Sequence, residues 1–295
     1  MDILKHLNIP SPVTQVSTEW SEKAGITLSI KRDDLIHPII SGNKWRKLSG
    51  FLQHSDSTTY ESIVTYGGAF SNHLVATATT CAILQIPCVG IIRGEEPKEL
   101  NPVLKMCVLY GMNLQFISRE AYKESNRSEG LKQKVLYIPE GGASDLGTIG
   151  CQEILKETDL SETDKIFLAC GTGTTISGMA EYVKEKQLPL EVFGIQVLKG
   201  DGYIARDIKQ EYGIEGIKIY DQFHCGGYAK TNEELIGFIK HFAKETGVLL
   251  DPIYTGKMML AIKKLCELGE IKREERILAI HTGGLTGWFG KANEL

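Results

Sequence analysis

Short runs of branched and apolar residues alternate along this chain with longer segments whose apolar positions recur every three or four residues. The short runs predict strands at Ser62–Tyr66, Cys88–Ile92, Asn113–Ile117, Val135–Ile138, Lys165–Ala169, Glu191–Val197, Ile217–Tyr220 and Arg276–His281. Several are apolar nearly throughout, as strands covered on both faces are. The clearest helix is Thr231–Thr246, where Leu235, Ile239, Phe242 and Thr246 share one side. Thr231 and Glu234 have the spacing of a capping box, and Gly247 the position of a stop. Ser71–Gln85 and Thr174–Lys186 show the same period. Strand–helix alternation of this kind predicts an α/β fold with mainly parallel sheets covered by helices. The polar stretch Tyr122–Lys134 reads as a solvated loop or a short exposed helix.

Composition narrows the classes without choosing a function. The apolar share is 42% and the charged share 24%, ordinary for a globular chain, which excludes disorder, collagen and coiled coil. A net charge of −4 argues against a general nucleic-acid binder, which needs a concentrated basic surface. The seven cysteines are scattered, never form a C-x-x-C pair and mostly lie in apolar stretches, so free thiols in a reducing cytoplasm are expected. No stretch approaches the roughly 18 consecutive apolar residues of a membrane helix. The start, MDILKHLNIPSPV, lacks the charged-then-apolar pattern of a signal peptide.

In α/β folds chemistry collects where strand ends turn into helix starts. Glycine clusters stand at several such junctions, at Gly67-Gly68, Gly141-Gly142, Gly171–Gly173, Gly226-Gly227 and Gly283-Gly284. The strongest is LACGTGTTISGM, Leu168–Met179, where an apolar strand runs through Gly171, Thr172, Gly173, Thr174 and Thr175 into a helix. Backbone N–H groups there can face inward, and the helix start adds partial positive charge, which makes a phosphate cradle. A strict dinucleotide fingerprint fails because Ile176 stands where a third glycine is required, and no Walker A lysine follows. A tight turn without a ligand is the plainer reading. A cradle without a nucleotide signature points to pyridoxal phosphate, which needs a lysine for its Schiff base. Lys44, in IISGNKWRKL, follows the turn residues Ser41, Gly42 and Asn43 at the start of an amphipathic helix. By itself a lysine there is ordinary surface charge.

Six blocks change that weighting: KRDDLIHPIISGNKWRKL, TYGGAFSNHLVATA, IPEGGAS, CGTGTTISGM, DPIYTGK and IHTGG, in this order. Together they resemble the D-cysteine desulfhydrase and 1-aminocyclopropane-1-carboxylate deaminase family, pyridoxal-phosphate enzymes of fold type II with the tryptophan synthase β-like fold. The resemblance spans roughly residues 8–290. It implies that Lys44 carries the cofactor and that Lys47 lies near its phosphate, in the loop of Gly171, Thr172, Gly173, Thr174 and Thr175. It further implies that Asn72 meets the ring hydroxyl, Thr282 faces the pyridine nitrogen, and Ser71 and Tyr254 take part in nucleophile and proton steps. Two domains are implied, a smaller one at 57–139 and a larger one at 1–56 and 140–295, with a homodimer as the assembly. For Ser71 and Asn72 a plain helix cap is the competing account, and for Tyr254 a packed aromatic. His73 and His281 are expected to be structural. No metal-ligand spacing and no serine-hydrolase elbow occurs.

Three functions fit the resemblance. One is β-elimination from a small amino acid such as D-cysteine, giving pyruvate, ammonia and sulfide. The second is opening of the cyclopropane amino acid to 2-oxobutanoate and ammonia. The third is a cofactor-binding protein without turnover. The sequence departs from the deaminase pattern after Tyr254, where Thr255 stands in place of a glutamate that would meet the pyridine nitrogen. That departure favours elimination.

Overall fold

The structure, a computed structural model, describes residues 2–40, 42–54, 60–125 and 130–294. Its strands form two sheets. The first has six strands: β1 (Val13–Val16), β2 (Thr27–Lys31), β8 (Lys165–Cys170), β9 (Glu191–Gln196), β10 (Lys218–Tyr220) and β11 (Arg276–Ile280). Their order is β1-β2-β11-β8-β9-β10, parallel except for β1 on β2. The second has β3 (Ser62–Gly67), β4 (Cys88–Arg93), β5 (Asn113–Ile117), β6 (Gly130–Lys132) and β7 (Val135–Ile138), in the order β5-β4-β3-β7-β6. Only β6 runs antiparallel within it. The class is thus the mixed, mainly parallel α/β fold that the alternation predicts. The pair β1–β2 had no sequence signal, because Val13–Val16 buries only Val16 well and reads as polar surface.

Ten α-helices are described: α1 (Glu19–Ala24), α2 (Asn43–His54), α3 (Asn72–Leu84), α4 (Pro102–Leu109), α5 (Arg119–Ser125), α6 (Asp145–Lys156), α7 (Thr174–Glu185), α8 (Tyr203–Tyr212), α9 (Glu233–Thr246) and α10 (Thr255–Glu267). In α9 the side chains of Leu235, Ile239 and Phe242 are fully buried, each stabilising the fold by about 1.5–3 kcal/mol. Its stop is Gly247, at φ 70°, as expected. Its cap is not. Asn232 Oδ1 accepts from the Leu235 amide at 2.9 Å, while Thr231 donates to Glu294 instead. Asparagine outranks threonine as a cap, and one residue of register decides which is used.

Two apolar clusters lie under the sheets. One joins β2, β8, β9 and β11 to α6, α7, α9 and α10. The other joins the second sheet to α3 and α4, and takes in Ile36, Ile40, Trp45, Leu48, Phe51 and Leu52. Helix α2 therefore buries its apolar face on the second sheet's side, while its start faces the first. It is also pressed against α6. A Cβ on Gly50 would fall 1.9 Å from the Leu146 carbonyl oxygen, and one on Gly150 2.0 Å from that of Arg46. Only glycine allows these backbones to approach so closely.

A buried charge network fixes the other side of α2. Arg46 donates to both oxygens of Asp33, at 2.9 and 2.8 Å, and to both oxygens of Glu157, at 3.0 and 2.6 Å. Lys31 donates to Glu157 at 2.7 Å, and Ser11 to Asp33 at 2.6 Å. Burial pushes the Glu157 carboxyl up, but the bonds from Arg46 and Lys31 outweigh it and lower its pKa to about 2. Two cations and two carboxylates thus cancel where single charges could not be buried.

In the polar stretch Tyr122–Lys134, residues 126–129 lie outside the described ones. Tyr122 departs from the sequence reading: it is buried, with the Arg93 guanidinium 5.6 Å from its ring centroid. Ser41 is likewise outside the described residues. All seven cysteines are free, five of them buried. No described helix is long and apolar enough to cross a membrane.

Candidate active site

A cavity of about 500 Å³ opens where the carboxyl ends of both sheets face each other. Lys44, Lys47, Ser71, Asn72, Gly171, Thr172, Gly173, Thr175, Tyr254 and Thr282 line it. Of the expected site residues only Thr174 does not. Its buried hydroxyl lies 3.1 Å from both Thr172 Oγ1 and Tyr212 Oη, so it braces the loop from behind.

Lys44 is placed by its neighbours. Gly42 has φ 61°, and a Cβ there would fall 1.8 Å from the carbonyl oxygen of Thr282. Glycine meets both demands, and the contact brings Thr282 beside the start of α2. The Asn43 amide donates to that same oxygen at 3.3 Å, and its side chain donates to Thr175 Oγ1 at 3.1 Å. Three segments distant in sequence thus converge at one helix start. Lys44 Nζ donates to Asn43 Oδ1 at 2.9 Å. Burial first, and the Lys47 charge second, lower its pKa to about 7, against a smaller raising pull from Asp251. Lys47, lowered by burial, donates to the Gly141 carbonyl at 3.0 Å and lies 3.4 Å from Thr172 Oγ1.

The cavity is electropositive. Neither lysine has a carboxylate ion-pair partner among the described residues, and α7 starts at Gly173 without a side-chain cap. Its first N–H groups are therefore free for an anion. Ser71 is the N-cap of α3, its Oγ accepting from the Leu74 amide at 3.4 Å, and also faces the cavity. The cap account and the site account are both satisfied by one side chain. Asn72 accepts a hydrogen bond from the Thr286 hydroxyl.

Tyr254 lines the cavity and also packs against the first apolar cluster. Its hydroxyl pKa is raised well above the usual value, by burial first and then by Tyr228 and Asp251. Thr255 turns the other way: its hydroxyl donates to Asp251 Oδ2 at 2.6 Å and accepts from the Asp251 amide at 2.9 Å. The buried Asp251 carboxylate also takes the amides of Ile253, Tyr254 and Thr255. Among the residues lining the cavity the sole carboxylate is Glu140, whose charge, after burial, raises the pKa of the Tyr122 hydroxyl.

Both histidines have structural surroundings. His281 Nε2 lies 2.9 Å from the Leu249 carbonyl oxygen. His73 Nε2 lies 2.8 Å from Thr65 Oγ1, and burial with the charges of Lys44 and Lys47 lowers its pKa to about 3, so it is neutral. His73 lines the cavity, and its buried Nδ1 has no hydrogen-bond partner among the described residues.

Sequence reasoning missed Arg93, Glu140 and Tyr228 as cavity residues. Arg93 stands at the end of β4, where the strand-end rule pointed. Tyr228 follows the Gly226-Gly227 cluster, a signal noted but not assigned.

Two lysines, an uncapped helix start and a hydroxyl-rich loop fit a phosphate. A buried amine that is half neutral at pH 7 fits an aldehyde. These features fit pyridoxal phosphate, and the model of the pyridoxal-phosphate-dependent enzyme family matches residues 6–283. The chain belongs to that family and is a pyridoxal-phosphate-dependent enzyme. More narrowly, it is 32% identical to a Thermotoga maritima protein named "putative 1-aminocyclopropane-1-carboxylate deaminase", over 97% of each chain. It is 31% identical to the bifunctional D-cysteine desulfhydrase/1-aminocyclopropane-1-carboxylate deaminase of Arabidopsis thaliana, over 92% of this chain and 75% of that one. The crystal structure of a homologue of the deaminase superposes with a TM-score of 0.81 at 27% identity, covering 98% and 94% of the two chains. A tomato threonine deaminase shares the fold, with a TM-score of 0.71 at 17% identity.

Proposed function

We propose that this enzyme removes a leaving group from the β-carbon of a small amino acid such as D-cysteine, yielding pyruvate, ammonia and sulfide. The observation that supports elimination is that hydroxyls stand where a carboxylate would meet the ring nitrogen: Thr282 lines the cavity and Thr255 follows Tyr254. Thr255 is tied to Asp251 and does not line the cavity, and the one lining carboxylate, Glu140, follows β7 in the other sheet from Thr282. Without an anionic partner a pyridine nitrogen holds its proton weakly. Pyridoxal phosphate, when bound, supplies the electron sink that makes an α-proton acidic. A weaker sink suits expulsion of a good leaving group better than cleavage of a strained carbon–carbon bond.

The roles follow from position. Lys44 would carry the cofactor, and its lowered-pKa amine would take the α-proton of the substrate. Lys47, the start of α7 and the loop 171–175 would hold the phosphate, with Thr174 bracing them. Asn72 would meet the ring hydroxyl and Thr282 the ring nitrogen. The substrate carboxylate would lie at the start of α3 beside Ser71, and Tyr254 would move protons at the reacting carbon. The two sheets are read as domains, 57–139 and the remainder, closing on substrate, in the homodimer that the resemblance implies.

Cyclopropane ring opening is the second reading, favoured by the names of the relatives. One assay separates the two. Holoenzyme should form sulfide and pyruvate from D-cysteine faster than 2-oxobutanoate from the cyclopropane acid. A clear excess of 2-oxobutanoate would overturn the proposal.

A further inference from the structure

Lys257 is fully buried, and among the described residues it makes no ion pair. Its place is electrostatically adverse, since the first turn of α10 carries the partial positive charge of a helix start. Burial lowers its pKa to about 8, opposed by Cys225 and Asp251 and reinforced by Lys291. A side chain kept at such cost is expected to do something an apolar residue could not.

What it holds is backbone. Lys257 Nζ donates to the Gly227 carbonyl at 2.7 Å and reaches that of Val197 at 3.4 Å. Gly227 lies in a turn with an unusual backbone: Cys225 and Ala229 both have φ 51°, and Gly226 and Gly227 have φ 95° and 117°. Left-handed geometry is costly for a non-glycine residue, so such a turn needs support from outside. Tyr228 sits within it, half exposed, and lines the same cavity as Tyr254, whose hydroxyl it influences electrostatically. Tyr254 is the residue that begins α10. The start of α10 therefore grips the turn through the carbonyl of Gly227, the residue just before Tyr228.

We infer that Lys257 is a positioning residue, a built-in cation whose grip on Gly227 sets Tyr228 against Tyr254 at the cavity wall. The inference rests on the reading that Tyr254 moves a proton during turnover. Loss of the grip should then lower kcat and leave substrate binding nearly alone.

The test uses holoenzyme carrying Lys257→Met, Lys257→Ala or Tyr228→Phe. Lys257→Met should lower kcat by about 10-fold or more and change KM by less than about 2-fold. Amide exchange in residues 224–230 should quicken by about 10-fold, with β8 and β11 unchanged. Ammonium or methylammonium should restore part of kcat to Lys257→Ala, and tetramethylammonium, too large for the vacated space, should not. The double variant Lys257→Met/Tyr228→Phe should be no slower than the worse single one, because both break one device. Unchanged exchange in 224–230, rate losses that simply add, or no rescue by any cation would each overturn the inference. Should Lys257→Met fail to fold, Tyr228→Phe and Lys257→Ala refolded in ammonium carry the same test. Exchange is read without substrate, so silence on every amino acid tried would count against the functional proposal alone.

Discussion

The amine of Lys44 offers the most direct check on the site. An ordinary lysine at pH 7 has roughly one molecule in 3,000 neutral, whereas a pKa lowered from 10.5 to about 7 leaves about half neutral. Condensation with an aldehyde requires the neutral form, so Lys44 should react about 10³-fold faster than a solvent-exposed lysine of equal intrinsic reactivity. The assay follows capture of pyridoxal, which lacks the phosphate and so isolates the amine, by apoenzyme across pH 5.5–10, a range chosen about that value. Borohydride reduction and peptide mapping then assign the label. The rate should rise through a midpoint near 7 and flatten above it. Lys47→Met should move the midpoint upward, because burial would then act without a neighbouring positive charge, leaving it still below 10.5. A midpoint above about 9, or label on another lysine, would refute the assignment. Stability supplies a second sign. Between about 7 and 10.5 the unfolded chain binds more protons at this residue than the folded one, so its contribution to apoprotein stability rises with pH across that window.

Two further perturbations probe the scaffold. Glu157→Gln should cost about 3 kcal/mol at pH 7, since Arg46 and Lys31 lose a charge partner where little water can compensate. The gap between wild type and variant in thermal unfolding should close as pH falls from 4.5 towards 2, where protonation removes the same charge, and a pH-independent gap would contradict this account. Gly173→Val should weaken cofactor affinity by at least about 10-fold with the sheets intact. The effect would act through α8, because a Cβ at Gly173, φ 81°, would meet Ile208 Cγ1 at 2.7 Å rather than enter the cavity. Wild-type affinity on equilibrium dialysis would place the phosphate elsewhere.

Much of this architecture could be read from the chain because the forces behind it are local or periodic. Strands such as Lys165–Cys170 and Arg276–Ile280 announce themselves by unbroken apolar runs, since burial on both faces leaves no room for alternation. The cradle at Gly171–Thr175 is legible for a similar reason: strand, glycine turn and helix start are consecutive. What tertiary structure decided is everything that depends on which distant segments meet. Lys44 acquires its lowered pKa only when α2 is buried between two sheets beside Lys47. Thr255 turns to Asp251 and Thr282 to the cavity, a choice of side that no local pattern specifies. Arg93 and Tyr228 reach one cavity from strand and turn ends more than a hundred residues apart. Lys257, in a helix start whose spacing marks nothing, finds its carbonyl partners only across the fold. Hydrophobic period and turn chemistry set the elements; the charges buried by their assembly set the chemistry.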